Sequence, residues 1–468
     1  MTNWLLGGAP DAVALIAGTD RRAITYSELG EAADTVAKSL AAQGLRAGDV
    51  VAVLAGNGVD FVVALLGAVG AGLTVAPLDP SLPQAGIDQR LDMLGARLVL
   101  TGQAVTATDL RPGRSPVGLI ADDVLIMFTS GTTGTPKMVP WTRQALRTSV
   151  ATIARTYQLS SADATVAVMP LFHGHGLVAT LLTSLAVGAT VLLPAAGRFS
   201  ATTFWDDMAA AGATWYTAVP TIHQIVLART ESEIVPAGLR FVRSCSAPLS
   251  RDVAARMEDV LGVPVLTAYG MTEATHHITG CTPADDVTIR RGTVGTPVGT
   301  TAKTVDGEVW LSGPEIARGY LGDPALSAGA FTEGWLRTGD LGVIDDQGNL
   351  SITGRIKNII NRGGEKISPE RVEQVLAGCP GVAQAAVFPV PDDVYGETVG
   401  AAVVATPGSS LTAERLVADC RDRLAKFEVP EQIRIVDELP LTAKGDVNRA
   451  ALISREATSC RPGHRVRQ

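Results

Sequence analysis

Between residues 26 and 43 apolar side chains return every three or four positions, the stripe of an amphipathic helix, and Gly44 ends it. Val50-Val-Ala-Val-Leu-Ala then runs apolar without alternation, as a strand buried on both faces does. A helix over 60–69 and a strand over 74–78 follow. The rhythm resumes with a strand over 165–169, a helix over 177–185, a strand over 190–193 and a helix over 201–211. Strands over 214–219 and 239–244, a helix over 252–261 and a strand over 263–268 complete it. Strands separated by helices pair in parallel, so an α/β fold of wound, mostly parallel sheets is expected. After Gly292 the segments become short and punctuated by glycine, at 307–312, 335–340 and 349–353, which predicts a small antiparallel β unit. From about Lys357 an α+β module of separate-domain size begins. The expected division is 1–356 and 357–468, with a polar, basic tail from Ser459 that frays.

The chain has 468 residues, 46% of them hydrophobic, too many for one ordinary domain. Its net charge of -8 is spread among interspersed acids and bases, so no basic stripe suggests nucleic acid and any anionic ligand must be captured locally. Five cysteines, odd in number and scattered, read as thiols of a reducing compartment, and a cytoplasmic location is expected. The first residues carry no basic leader, and no apolar run reaches membrane-spanning length.

Three clusters carry chemistry. Phe128-Thr129-Ser130-Gly131-Thr132-Thr133-Gly134-Thr135-Pro136-Lys137 leaves an apolar strand with hydroxyls and free amides that can wrap phosphate oxygens, and a lysine closes it. Pro136 and Met138 stand where the common nucleotide loop has glycine and Ser or Thr, so that family is excluded. Ala268-Tyr269-Gly270-Met271-Thr272-Glu273 sets an aromatic face, a close backbone and a carboxylate at the carboxyl end of a strand, where such sheets bind ligands; a nucleobase and a magnesium ion suit it. In Trp335-Leu-Arg-Thr-Gly339-Asp340-Leu-Gly342 an acid between glycines can accept two ribose hydroxyls, although alone it reads as an ordinary turn.

In this order the clusters resemble the adenylate-forming superfamily of acyl-CoA synthetases, luciferases and nonribosomal adenylation domains. Ser246-Ala247-Pro248 is similar to the adenine-flanking segment. Gly354-Arg355-Ile-Lys357, with Gly363-Gly364 beyond it, is similar to the interdomain hinge and its following loop. The resemblance implies a large N-terminal domain, a small mobile C-terminal domain turning near Lys357, and ATP, magnesium and CoA as cofactors. Within the superfamily the chain looks closest to oxalate-CoA ligases, through Pro170-Leu-Phe-His173-Gly-His175, Arg243-Ser244-Cys245-Ser246 and Met271-Thr-Glu-Ala-Thr-His276. Beside the resemblance stands a physical reason: a second carboxylate needs donors, and His173, His175, Ser244 and His276 are donors on segments that the fold converges. A zinc site at the His-Gly-His pair is the rival, without Cys or acid at ligand spacing. His223 and His277 read as core histidines.

One position departs from the superfamily. Its C-terminal Leu-Pro-x-Thr-x-x-Gly-Lys pattern ends on a lysine that bridges the acyl carboxylate and ATP; here Leu439-Pro440-Leu441-Thr442-Ala443-Lys444-Gly445-Asp446 puts an aspartate there. Lys444, two residues earlier on the same face of an extended loop, is expected to take the role. The expected catalytic set is therefore Lys444, Glu273 and His173, with Glu273 and Thr132 toward the metal. A small oxalate-like acid would be adenylated and passed to CoA, or to another thiol or amine, by a monomer or homodimer. Two other readings stand open: adenylation of another small oxyanion such as nitrite for transfer to an amine, and a non-catalytic nucleotide-binding relative.

Overall fold

The computed structural model describes residues 4–101, 110–111, 113–129, 136–230, 235–406, 408–442 and 447–459. One sheet orders Leu98–Leu100, Val50–Val53, Thr74–Pro77, Asp123–Thr129 and Lys137–Thr142. All pairs are parallel except the last, which returns from Asp123–Thr129 as a hairpin with Thr129 opposite Lys137. A second sheet sets Trp215–Ala218, Phe241–Ser244 and Val265–Tyr269 in parallel, with the antiparallel strands Thr279–Gly280 and Thr296–Pro297 beyond. A third orders Ala23–Thr25, Val13–Ala17, Thr190–Leu193 and Ala164–Val166, antiparallel only at its first pair.

Local chemistry explains the helices between them. Tyr26–Ala42 buries Tyr26, Leu29, Ala33, Val36 and Leu40, the stripe visible in the sequence. Its start is a capping box: Glu28 N donates to Thr25 Oγ1 at 3.2 Å, and Thr25 N donates to Glu28 Oε2 at 2.7 Å. Val59–Gly70 is buried continuously from Phe61 to Val69 and packs on every side. The helix expected over 177–185 differs. His175–Leu182 winds as a π-helix before the α-turn Thr183–Ala186, and Thr183 Oγ1 donates five residues back to Val178 O at 2.7 Å. Every residue of the π-helix is buried, so no polar face marks its period in the sequence.

The antiparallel unit joins Thr301–Val305, Glu308–Ser312, Trp335–Ile344, Phe331–Thr332 and Leu350–Arg355. Five residues after Arg355 the chain enters another sheet, of Glu365–Ile367, Ile360–Arg362, Gly396–Ala405, Val382–Asp392 and Gln432–Val436. Ile360, Ile367, Val372, Val399 and Leu416 form a core there that is separate from the N-terminal clusters. The molecule is α/β, with mixed wound sheets, an antiparallel unit and an α+β C-terminal part. No helix among the described residues is long and apolar enough to cross a membrane.

Candidate active site

Strand register builds one side of the candidate site. Thr217 lies opposite Arg243, and Arg243 opposite Leu266, so Thr217 and Arg243 leave the same face of the second sheet. Arg243 is 0% exposed. Its Nε donates to Tyr157 Oη at 3.0 Å and its Nη1 to Thr217 Oγ1 at 3.1 Å, while Nη2 lies 3.4 Å from His276 Nε2 and 3.5 Å from His277 Nδ1. No carboxylate among the described residues pairs with it. His175 completes the group, with Nε2 2.6 Å from Thr217 Oγ1, Nδ1 3.1 Å from Ser246 Oγ, and its ring stacked on His276 at 5.2 Å between centroids. His173, two residues before, packs edge-on against Phe172 at 4.6 Å.

The turns that hold these rings are tight. A Cβ on Gly270 would stand 1.5 Å from His276 O, and one on Gly174 would stand 3.1 Å from both His276 Cβ and Trp141 Cη2. Only glycine lets the two histidine segments approach this closely. Ser246, Thr275 and His276 hold left-handed backbone at φ 74°, 48° and 78°. Such conformations cost about 1–3 kcal/mol each and persist where their surroundings fix them. Ser149 Oγ donates to Thr275 O and Thr275 Oγ1 to Glu315 O, both at 2.7 Å, and His276 N donates to Met271 O at 3.0 Å.

The other side of the candidate site adjoins the same turn. Trp141 Nε1 donates to Thr272 O at 2.8 Å, clamping the hairpin strand Lys137–Thr142 to the short 3₁₀ turn Thr272–Ala274. Lys137 Nζ sits 4.8 Å above the ring of Tyr320, whose hydroxyl donates to Glu273 Oε1 at 3.0 Å. Tyr269 Oη donates to Asp340 Oδ2 at 2.5 Å, and Arg355 Nε lies 2.8 Å from Asp340 Oδ1, its cross-strand partner.

Electrostatics separate the two halves. Burial first, then the charge of Arg243, pull His175, His276 and His277 well below the ordinary histidine value, so these rings are neutral. Burial opposes the charge on Arg243, but Tyr157 and Cys245 outweigh it, leaving a permanent cation. Burial raises the Asp340 carboxyl, against the pull of Arg355 and Tyr269. Partial desolvation and then Arg355 lower Lys357, with Asp340 acting the other way.

Among the expected site residues, His175 and His276 stack on one another beside Arg243, while the ring of His173 packs on Phe172. Ser244 does not join their hydrogen bonds: as the next residue along the strand it leaves from the face opposite Arg243, and its buried Oγ has no partner among the described residues. Ser246, Ala247 and Pro248 are exposed beside this centre. Ala268 and Tyr269 end the strand, Met271 and Thr272 follow Gly270 into the turn, and Glu273 is buried there. Gly363 and Gly364, at φ 57° and 99°, form the two-residue turn between Ile360–Arg362 and Glu365–Ile367, a local reason for both glycines. Ser130, Gly131, Thr132, Thr133 and Gly134, like Lys444 and Asp446, lie outside the described residues. No three His, Cys, Asp or Glu among the described residues gather as metal ligands, and both nitrogens of His175 are engaged by hydroxyls. Arg243, Thr217 and Tyr320 were not singled out from the sequence. The available signal was an arginine inside the apolar run Phe241-Val-Arg-Ser.

Residues 6–321 match the AMP-binding enzyme family and residues 371–446 the AMP-binding enzyme C-terminal domain. The chain belongs to the AMP-binding enzyme family. An oxalate–CoA ligase of Arabidopsis thaliana is 41% identical to it over 485 residues, covering 92% of this chain and 94% of that one. A sulfoacetate–CoA ligase of Cupriavidus necator is 35% identical, with 95% of each chain aligned. The structure of o-succinylbenzoate coenzyme A synthetase from Bacillus subtilis, in complex with ATP and magnesium ion, superposes with a TM-score of 0.82 at 28% identity, over 96% of this chain and 99% of that one. Aligned with CoA ligases along nearly its whole length, this AMP-binding enzyme is an AMP-forming acid–CoA ligase.

Proposed function

We propose that this AMP-binding enzyme activates a short acid bearing a second anionic group, oxalate foremost, as its acyl-adenylate and then passes the acyl group to CoA. The observation that carries the reading is the buried, carboxylate-free Arg243 ringed by imidazoles and hydroxyls. An aliphatic tail entering such a pocket would strand its donors at about 1–3 kcal/mol each, whereas a second anion satisfies them. The acids named for two relatives, oxalate and sulfoacetate, both carry two anionic groups.

In this reading the acid's reacting carboxylate oxygen attacks the α-phosphorus of ATP and pyrophosphate leaves; the CoA thiol then attacks the acyl carbon and AMP leaves. His276, His175, His173 and Ser246 orient the acid. Thr129 to Lys137 hold the phosphates, Tyr269 and its neighbours flank the base, and Asp340 with Arg355 takes the ribose through its remaining lone pairs. The Glu273 carboxylate accepts one hydrogen bond among the described residues, from Tyr320, and so keeps an oxygen for a magnesium ion, which binds through one or two carboxylates plus phosphates and water. Glu273 and Thr132 would hold that ion, and it would offset charge on the phosphates. Lys357 is the hinge on which residues 357–468 turn between the steps, bringing Gly363-Gly364 to the thiol path. The relatives' names lend no support to transfer to an amine or to a non-catalytic role.

The test incubates the enzyme with ATP, magnesium and CoA and with oxalate, malonate, sulfoacetate, acetate or hexanoate, measuring pyrophosphate and the mass of the thioester. Oxalyl-CoA is expected, with little or no product from hexanoate. Pyrophosphate release with hexanoate and none with any dianion would end the reading.

A further inference from the structure

Arg243 is a donor only, and that fixes where the protons of its neighbours lie. A guanidinium has no acceptor atom, so every atom that bonds to it presents a lone pair. Nη2 carries two N–H groups and faces His276 Nε2 at 3.4 Å and His277 Nδ1 at 3.5 Å. The ring proton of His276 is therefore on Nδ1 and that of His277 on Nε2. Thr217 Oγ1 accepts from Arg243 Nη1 at 3.1 Å, and Thr217 is fully buried. Its hydroxyl hydrogen has one acceptor within reach among the described residues, His175 Nε2 at 2.6 Å. That nitrogen must accept, so the His175 proton sits on Nδ1 and is donated to Ser246 Oγ at 3.1 Å. Ser246, exposed at the open edge, keeps its own hydrogen for an outside acceptor. His276 Nδ1–H likewise makes no hydrogen bond within the described residues.

We propose that Arg243 is the positioning residue of the acid pocket. Donating directly to His276 and His277, and through Thr217 to His175, it sets their tautomers so that His276 Nδ1–H and the Ser246 hydroxyl both point as donors at the bound acid. The stacking of His175 on His276 keeps the two donors adjacent. The inference rests on the reading of the site as a pocket for a small anionic acid. It explains why a cation is buried among neutral groups: its charge also holds the rings unprotonated, so they serve as directed neutral donors.

The test is ¹⁵N NMR of the full chain labelled at histidine, with resonances assigned by single His→Gln substitutions, on the parent and on Arg243→Met, Arg243→Lys and Thr217→Val. In the parent, His175 and His276 should appear as Nδ1–H tautomers and His277 as Nε2–H. Thr217→Val should release His175 alone, and Arg243→Met should mix the tautomers of His276 and His277. Arg243→Met should also raise KM for the acid by about tenfold to a hundredfold with KM for ATP unchanged, the size of one or two misdirected hydrogen bonds, and Arg243→Lys should recover part. His276 protonated on Nε2 in the parent, or tautomers unmoved in both Arg243→Met and Thr217→Val, would overturn the proposal. If Arg243→Met does not fold, the parent spectrum and Thr217→Val decide. Tautomers as stated in an enzyme inactive with oxalate would uphold the relay and remove only oxalate as the acid.

Discussion

His276 is held at φ 78° by the turn beneath it, within reach of Arg243, a fully buried cation with no carboxylate partner among the described residues. In the proposed reading, replacing it with alanine removes a donor from the acid and nothing from the nucleotide. KM for the acid should therefore rise by about tenfold or more while KM for ATP stays within a factor of about two, read from initial rates with each substrate varied in turn. His223 gives a prediction of another kind. It is 0% exposed, with Nδ1 3.3 Å from Tyr216 Oη, and burial pulls its pKa down to about 4. The unfolded chain binds this proton near pH 6.5, so the folded state binds fewer protons between the two values. Stability from this group is complete above about 6.5 and is lost as pH falls toward 4, by roughly 3 kcal/mol at most. His223→Gln should flatten that slope in denaturant titrations across the window. At this scale the sequence was partly legible. Asp340, Glu273 and His276 stand in motifs whose chemistry can be read from residue type and spacing. Arg243, Thr217 and Tyr320 act through a register and a fold that bring distant strands together, and no local pattern reports that.

The turn from Tyr269 to His276 is the element on which both halves depend, since it carries Tyr269 toward Asp340, Glu273 toward Tyr320 and His276 toward Arg243. Gly270→Ala forces a Cβ against His276 O, where the gap is 1.5 Å. The turn must shift. We expect a loss of about 1–3 kcal/mol in thermal or chemical unfolding and a fall in kcat/KM for acid and ATP alike, in contrast to the one-sided effect of His276→Ala. Most of the wound elements were visible as alternating apolar runs and stripes. The strand Lys137–Thr142 was not, because Pro140 argues against a strand; it is tolerated here at the edge of the sheet. The π-helix at His175–Leu182 was also hidden, since continuous burial erases its period.

At the scale of the whole molecule, the change of sheet between Arg355 and Ile360 gives the C-terminal part its own core, and the substrates lie on residues from both sides of it in the proposed reading. Lys444 belongs to that C-terminal part. If it replaces the lysine whose usual position holds Asp446, Lys444→Ala should slow adenylation by about a hundredfold to a thousandfold, as removal of one preorganised transition-state donor does. Thioester formation from preformed acyl-adenylate should survive, and measuring the two half-reactions separately checks the difference. The change of texture from wound to antiparallel to α+β was legible along the chain; where one sheet ends and the next begins is a matter of strand pairing, which composition does not show. The most direct test is the ratio of kcat/KM for oxalate to that for oxamate, which matches oxalate in shape but carries a neutral amide in place of the second carboxylate. A pocket built around Arg243 and its directed donors should favour oxalate by about a hundredfold or more. Equal values for the two acids would contradict the claim that this site reads a second negative charge.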